Sequence, residues 1–229
     1  MLLGLDVGGT FTDAVIIDGH RVVATAKRRT TKDNLMNGIG EALDAVLEGY
    51  DTSNIEQVTL STTVVTNTIV EEKEQVVDLY VVTGPGRNVD DIFPVKPIYL
   101  QGYTDHRGIV VEHTPADAVR GIANMVQARS GTDLAAVSAK FGVRNPQEEL
   151  SITEELKNTY HTISNGSLLS GSLNFPRRTI SAYFNSAVTP VFTVFKENVE
   201  DALRARNIVA PLHILKADGG SLPIEHMVS

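Results

Sequence analysis

The chain has 229 residues, of which 42% are hydrophobic and 21% charged, a balance that gives one or two folded domains and excludes intrinsic disorder. A formal net charge of −8 argues against a general nucleic-acid or anionic-membrane binder, because the longest basic run, Lys27-Arg28-Arg29, is too short to reverse it. With no cysteine, disulfides, thiolate metal sites and a cysteine nucleophile are excluded.

From Leu2 to Ile17, two apolar runs of strand length flank a turn that carries Gly8, Gly9, Thr10 and Thr12, which reads as a β-hairpin with a polar tip. Glycine has no Cβ, so backbone N–H groups at such a tip approach an anion closely, and threonine hydroxyls donate to it as well. Asp6 and Asp13 would repel a bare phosphate, so the pattern calls for a divalent cation between them and the anion, with Asp6 as its ligand. A third strand is expected over 20–26 and a helix over 34–47, whose apolar residues fall at helical spacing. A strand at 57–60 leads into Ser61, Thr62 and Thr63 at the start of another helix, with Asn67 one turn further in. Such residues either cap the helix or face a ligand.

The run 76–82 reads as a central strand buried on both faces, followed by Thr83, Gly84 and Arg87 at its carboxyl end. Prolines and glycines make 90–113 loop-like, and its histidines lack metal-ligand spacing. Helices are expected from Pro115 to Arg129, from Pro146 to about Tyr160 and from Pro176 to Arg206, with Pro190 kinking or dividing the last. Strands at 134–139 and 212–216 complete a β-α alternation that implies parallel sheet under covering helices. The small polar stretch 164–172 is the expected hinge, dividing the chain into domains 1–170 and 171–229. No apolar run spans a membrane, and a core strand stands at the N-terminus where a secretory signal would be, so the expected location is cytoplasmic.

The segment Asp6-Val7-Gly8-Gly9-Thr10-Phe11-Thr12-Asp13 resembles the first phosphate motif of the superfamily of acetate and sugar kinases, actin and heat-shock proteins. Its Phe-Thr-Asp ending points to the hydantoinase A, 5-oxoprolinase and acetone carboxylase family. In family order, Ser61 to Thr68 resembles a Gly-Thr-Thr-x-x-Thr-Asn segment, and Asn145-Pro146-Gln147-Glu148-Glu149 an Asn-Pro-x-His-Glu segment. Asn185 to Pro190 resembles Asn-Ala-Tyr-x-x-Pro, and Lys216 to Gly220 a Gly-Gly turn. The family's Glu-x-Glu-Arg tract is matched only by Arg178, its two glutamates being absent here.

The resemblance implies an α/β, ribonuclease H-like (actin-like ATPase) mixed sheet with covering helices, as the N-terminal half of a two-half architecture. It implies ATP and Mg²⁺ as cofactors, and ATP-dependent phosphorylation of a small cyclic amide carbonyl so that the ring opens. In that scheme Asp6 holds Mg²⁺, Gly8, Gly9, Thr10 and Thr12 cradle the β- and γ-phosphates, and Asp13 orients a threonine or a water. Thr62, Thr63 and Asn67 face the cleft, with Asp6, Asp13 and Thr63 as the catalytic set and Asp218, Gly219 and Gly220 on the far wall. It also implies a hydantoinase B-type partner subunit, and a chain that is inactive as a fragment. A small-molecule kinase of the same superfamily and a non-catalytic nucleotide-binding or subunit-interaction module are the other readings.

Overall fold

A computed structural model describes residues 1–31, 35–86, 90–216 and 218–227. The chain runs through β1 (Leu2–Val7), β2 (Phe11–Asp18), β3 (Arg21–Arg29), α1 (Leu35–Leu47), β4 (Gln57–Thr62) and α2 (Val64–Val70). There follow β5 (Asp78–Val82), β6 (Ile98–Tyr99), β7 (Tyr103–Thr104), β8 (Val110–Glu112), α3 (Ala116–Ser130) and β9 (Leu134–Ala139). The remainder is α4 (Gln147–Leu156), β10 (Thr162–Asn165), α5 (Gly166–Leu169), α6 (Phe175–Arg204), β11 (Leu212–Leu215) and β12 (Ser221–Pro223).

By packing, the chain divides into two compact units, one of residues 1–73 with 190–229 and one of residues 74–189. The boundary expected after residue 170 therefore falls inside the second unit, where β10 and α5 occupy the stretch read as a hinge. Ser164, Asn165 and Gly166 are buried there, because their small side chains fit between packed elements as well as they suit a linker.

The first unit is built on a six-stranded mixed sheet in the order β12-β11-β4-β1-β2-β3. β1, β2 and β3 form an antiparallel meander, and β4 then runs parallel to β1 and to β11. This is the ribonuclease H-like arrangement. Alternation along β1 and β2 turns Leu3, Leu5, Val7, Ala14 and Ile16 to one face, where they are buried. Ile39, Ala42, Leu43, Val46 and Leu47 of α1 repeat at helical spacing and close over that face, joined by Phe192, Phe195 and Val199 of α6. Each such valine, leucine, isoleucine or phenylalanine side chain removed from water contributes roughly 1.5–3 kcal/mol, the alanines less. At Gly38 a Cβ would stand 2.7 Å from the Arg29 carbonyl oxygen, so only glycine lets α1 approach the end of β3 this closely.

The second unit has a four-stranded sheet in the order β10-β9-β5-β6, parallel throughout, with β5 and β9 buried at every residue. The tract 90–113, expected as loop, contributes β6 and the bulged hairpin β7–β8. These strands are two or three residues long and exist through their partners, too short to leave a period in the sequence. α4 stops at Leu156, before the expected end near Tyr160, whose hydroxyl donates to buried Asp78 (2.8 Å) and meets that of Tyr80 (2.7 Å). Burial, the largest cause, pushes the Tyr80 hydroxyl up to about 12, so it stays protonated and structural. α6 continues as one helix through Pro190, where the chain leaves the second unit.

Leu60 is fully buried in the first unit. Leu60→Ala is expected to destabilise that unit by about 2–5 kcal/mol, read as a lowered denaturation midpoint, whereas Val209→Ala, at a 96% exposed position, leaves the midpoint unchanged.

Candidate functional site

The hairpin between β1 and β2 is held in shape by a threonine clasp. The Gly8 N–H donates to the Phe11 carbonyl (3.0 Å) and the Thr30 N–H to the Thr10 carbonyl (2.9 Å). The Thr30 hydroxyl donates to the Gly8 carbonyl (2.8 Å) and lies 3.1 Å from the Thr12 hydroxyl. Thr12 is fully buried, since the alternation of β2 puts it on the core side with Ala14 and Ile16. Its hydroxyl therefore braces the turn and does not enter the phosphate cradle expected of it. The Gly9 and Thr10 N–H groups donate to no described residue. A Cβ on Gly9 would stand 3.1 Å from Asn67 Nδ2, so the missing side chain keeps that space open.

The opposite wall comes from the junction of β4 and α2. Because β1 and β4 are parallel, their carboxyl ends share one edge of the sheet. The Thr62 hydroxyl donates to the Val7 carbonyl (3.0 Å) and accepts from the Val64 N–H (3.1 Å), so Thr62 ties the strand end and caps the helix start. Thr63 makes no capping bond, and its hydroxyl accepts from Asn67 Nδ2 (3.2 Å) and keeps its own proton to donate. Gly8, Gly9, Thr10, Thr62, Thr63 and Asn67 line a single cavity of about 550 Å³. Thr30, Glu71 and Lys73 complete its polar wall, with the Lys73 ammonium 2.6 Å from a Glu71 carboxylate oxygen. Sequence reading missed Thr30 and Lys73. Thr30 lies next to the hairpin tip only through the pairing of β2 with β3, and Lys73 sits beyond the end of α2 in an unpatterned stretch. Open amides, a donor hydroxyl, an amide side chain and an ammonium group suit a phosphate or another oxyanion.

Asp6 and Asp13 do not join this cavity. They are cross-strand neighbours on the sheet face turned away from the core, with Ser61 beside Asp6 and Lys27 beside Asp13. These four residues line a second cavity, of about 610 Å³. Lys27 Nζ lies 2.9 Å from each Asp13 carboxylate oxygen, a pair about half exposed and worth at most about 1 kcal/mol. Asp13 is thus matched by a lysine and touches none of the cavity threonines. Asp6 has no ion-pair or hydrogen-bond partner among the described residues, which leaves it free to meet a cation. Those residues hold no group of three His, Cys, Asp or Glu able to bind a metal. One carboxylate suffices for Mg²⁺ when phosphates and waters supply its other ligands.

Asp218, Gly219 and Gly220 lie beyond the end of β11, on the same sheet edge, but they do not line the glycine cavity. The Asp218 carboxylate closes its own turn, accepting from the Gly220 N–H (2.9 Å) and from Lys216 Nζ (3.0 Å). Those two bonds, the backbone one first, hold its pKa below the usual carboxylate value. Gly219 supplies the φ of +84° that the turn requires. Arg87 lies outside the described residues.

The remaining family-like segments are structural elements of the second unit. Glu149, fully buried, accepts from the Ala139 N–H (2.7 Å) and from the N–H and hydroxyl of Ser167, joining the end of β9 to α5. Arg178, also fully buried, donates to the Ser172 and Ala139 carbonyls. Burial lowers its pKa and Glu149 opposes that shift. Asn185 donates to the Ser164 hydroxyl, and Ser186 bonds that hydroxyl and the Ala135 carbonyl, seating α6 on the sheet.

Thr30→Val removes a donor to Gly8 and strands the buried Thr12 hydroxyl. It is expected to cost about 1–3 kcal/mol in chemical denaturation, while Thr30→Ser costs much less.

Comparison with known proteins connects this geometry to a family. The family model described as the hydantoinase/oxoprolinase N-terminal region matches residues 2–160. Among solved structures, acetone carboxylase in its nucleotide-free form matches with a TM-score of 0.79 at 17% identity, over 100% of this chain and 38% of that one. An ATP-dependent caprolactamase from Pseudomonas jessenii also matches with a TM-score of 0.79, at 18% identity, over 97% of this chain and 36% of that one. At such identities the likeness shows the fold alone, and the chain spans less than two fifths of either protein's length. No curated protein sequence matches significantly. No described helix is long and apolar enough to cross a membrane. The match to most of its length identifies the chain as a member of the hydantoinase/oxoprolinase family, carrying that family's N-terminal region.

Proposed function

We propose that the glycine cavity holds the β- and γ-phosphates of ATP and that the chain serves ATP-dependent activation of a small cyclic amide at its carbonyl oxygen. The observation that carries this reading is the convergence of Gly9, Thr10, Thr63 and Asn67 on one polar cavity at the carboxyl edge of parallel strands. Family membership and the ATP-dependent enzymes of like fold support it. When bound, ATP supplies the phosphoryl group and Mg²⁺ offsets its negative charge.

The protein's own part is positioning and charge. The Gly9 and Thr10 N–H groups donate to phosphate oxygens, and the Thr63 hydroxyl, oriented by Asn67, adds a third donor across the cavity. Lys73 contributes positive charge, tempered by Glu71. Asp6, at the end of β1 and without a partner among the described residues, is the residue to hold Mg²⁺ through a carboxylate oxygen or a water. Lys27, paired with Asp13, offsets the second negative charge beside Asp6. No general base is needed for a carbonyl oxygen acting as acceptor, which fits a cavity where Glu71, the one carboxylate among the described lining residues, is paired.

Titration calorimetry with a non-hydrolysable ATP analogue tests this. Gly9→Val is expected to weaken binding at least about tenfold, with or without Mg²⁺, by filling the space beside Asn67. Asp6→Asn is expected to bind like the wild type without Mg²⁺ and to lose the gain that Mg²⁺ gives the wild type. Wild-type affinity in Gly9→Val would remove the phosphates from this cavity, and a full Mg²⁺ response in Asp6→Asn would remove the metal from Asp6.

A further inference from the structure

The glycine cavity does not end at its polar wall. A groove of about 340 Å³ adjoins it, and Val64, Val191 and Phe195 line both spaces. Beyond these three, the groove is walled by Pro190, Val194 and Asn198. Val191, Val194 and Asn198 recur at helical spacing along α6 and so share one side of that helix. Val194 is 58% exposed although its neighbour Phe195 is 1% exposed. A single exposed valine on a convex surface needs no explanation. Here it lines an apolar groove that shares three wall residues with a cavity of amides and hydroxyls. That combination, an apolar wall with few polar groups beside the polar end, is the usual build of a small-molecule pocket, and the volume is within the roughly 300–1,000 Å³ that such pockets occupy.

Resting on the phosphate reading above, we propose that this groove seats the non-reacting aliphatic body of the acceptor, a small lactam or alkyl-substituted ring amide. Its carbonyl would lie toward Thr63, the residue before Val64, and its hydrocarbon would lie against Val191, Val194 and Phe195. Asn198 is the one polar side chain among the described residues that line the groove and offers both a donor and an acceptor to a ring substituent. A purine is the other candidate for an apolar surface near bound phosphates. It is held by stacking on an open ring face and by several hydrogen bonds along its edge. The groove offers aliphatic side chains, a buried phenylalanine and one amide, which matches a saturated ring better. Val64, Val191, Val194 and Phe195 then set acceptor size and shape, separately from nucleotide binding.

The test uses ε-caprolactam as probe, its binding followed by saturation-transfer NMR in the presence of Mg²⁺ and the non-hydrolysable ATP analogue, with analogue affinity measured in parallel by calorimetry. Val194→Asp puts a charge on the groove wall at an exposed position. It is expected to weaken caprolactam binding about tenfold and to leave analogue affinity within about twofold of the wild type. Val194→Thr, equal in shape, is expected to weaken it about threefold, and serves if the aspartate variant fails to fold. Failure of the wild type to bind caprolactam, or unchanged caprolactam affinity in both variants, overturns the proposal and leaves the phosphate site standing. Loss of analogue affinity in the variants also overturns it, by assigning the groove to the nucleoside. Caprolactam binding that depends on Val194 in a protein that binds no analogue supports the groove and removes the phosphate reading.

Discussion

The parallel pairing of β1 with β4 is the constraint from which the rest of the site follows. It brings the carboxyl ends of two strands fifty residues apart in sequence to one sheet edge, roughly the 4.8 Å strand spacing apart. Val7 is the point of closure, because its carbonyl accepts from both the Thr62 hydroxyl and the Thr63 N–H. Whatever emerges from β1 must then face whatever starts α2. The sequence puts two glycines at the first place and an uncapped threonine with an asparagine one turn on at the second. The cavity is the space between them, kept open because a side chain at Gly9 would run into Asn67.

The same pairing separates the charges from the hydrogen-bond donors. In a strand successive side chains face opposite ways, so Val7 points to the core and Asp6 to the far face of the sheet. Asp13 follows by register, since it lies directly across from Asp6, and Lys27 follows from Asp13 on the next strand. The carboxylates and the glycine turn are therefore close in sequence yet line different cavities. In the proposed reading the amides and hydroxyls would grip the anion, while Asp6 would act from the sheet face on its counter-ion.

Much of the first unit was legible because its signals are local. The alternation of Leu3, Leu5 and Val7, the Gly-Gly turn and the helical stripe from Ile39 to Leu47 each declare an element and its buried side. The family-like segments were legible as patterns but not as roles. Glu149 and Arg178 lie in family-like segments, yet they bond mainly backbone groups of the second unit, a use visible only once strand ends are brought together. Thr12 shows the limit most simply. The strand period alone puts it on the same side as Ala14 and Ile16, so its burial is legible from spacing even within the phosphate-like motif. Short partnered strands such as β6 leave no such trace, and the division of the chain at residues 73 and 190 depends on which sheet each strand joins.

The central claim is that the turn between β1 and β2, facing the start of α2, is an anion site for a nucleotide. Backbone amide NMR shifts on addition of Mg²⁺ and a non-hydrolysable ATP analogue test it most directly. The account predicts that the largest shifts fall on the Gly9 and Thr10 amides and on the side-chain amide of Asn67, saturating together at one affinity. Shifts confined to residues 74–189, or none at Gly9 and Thr10 under saturating analogue, would contradict it.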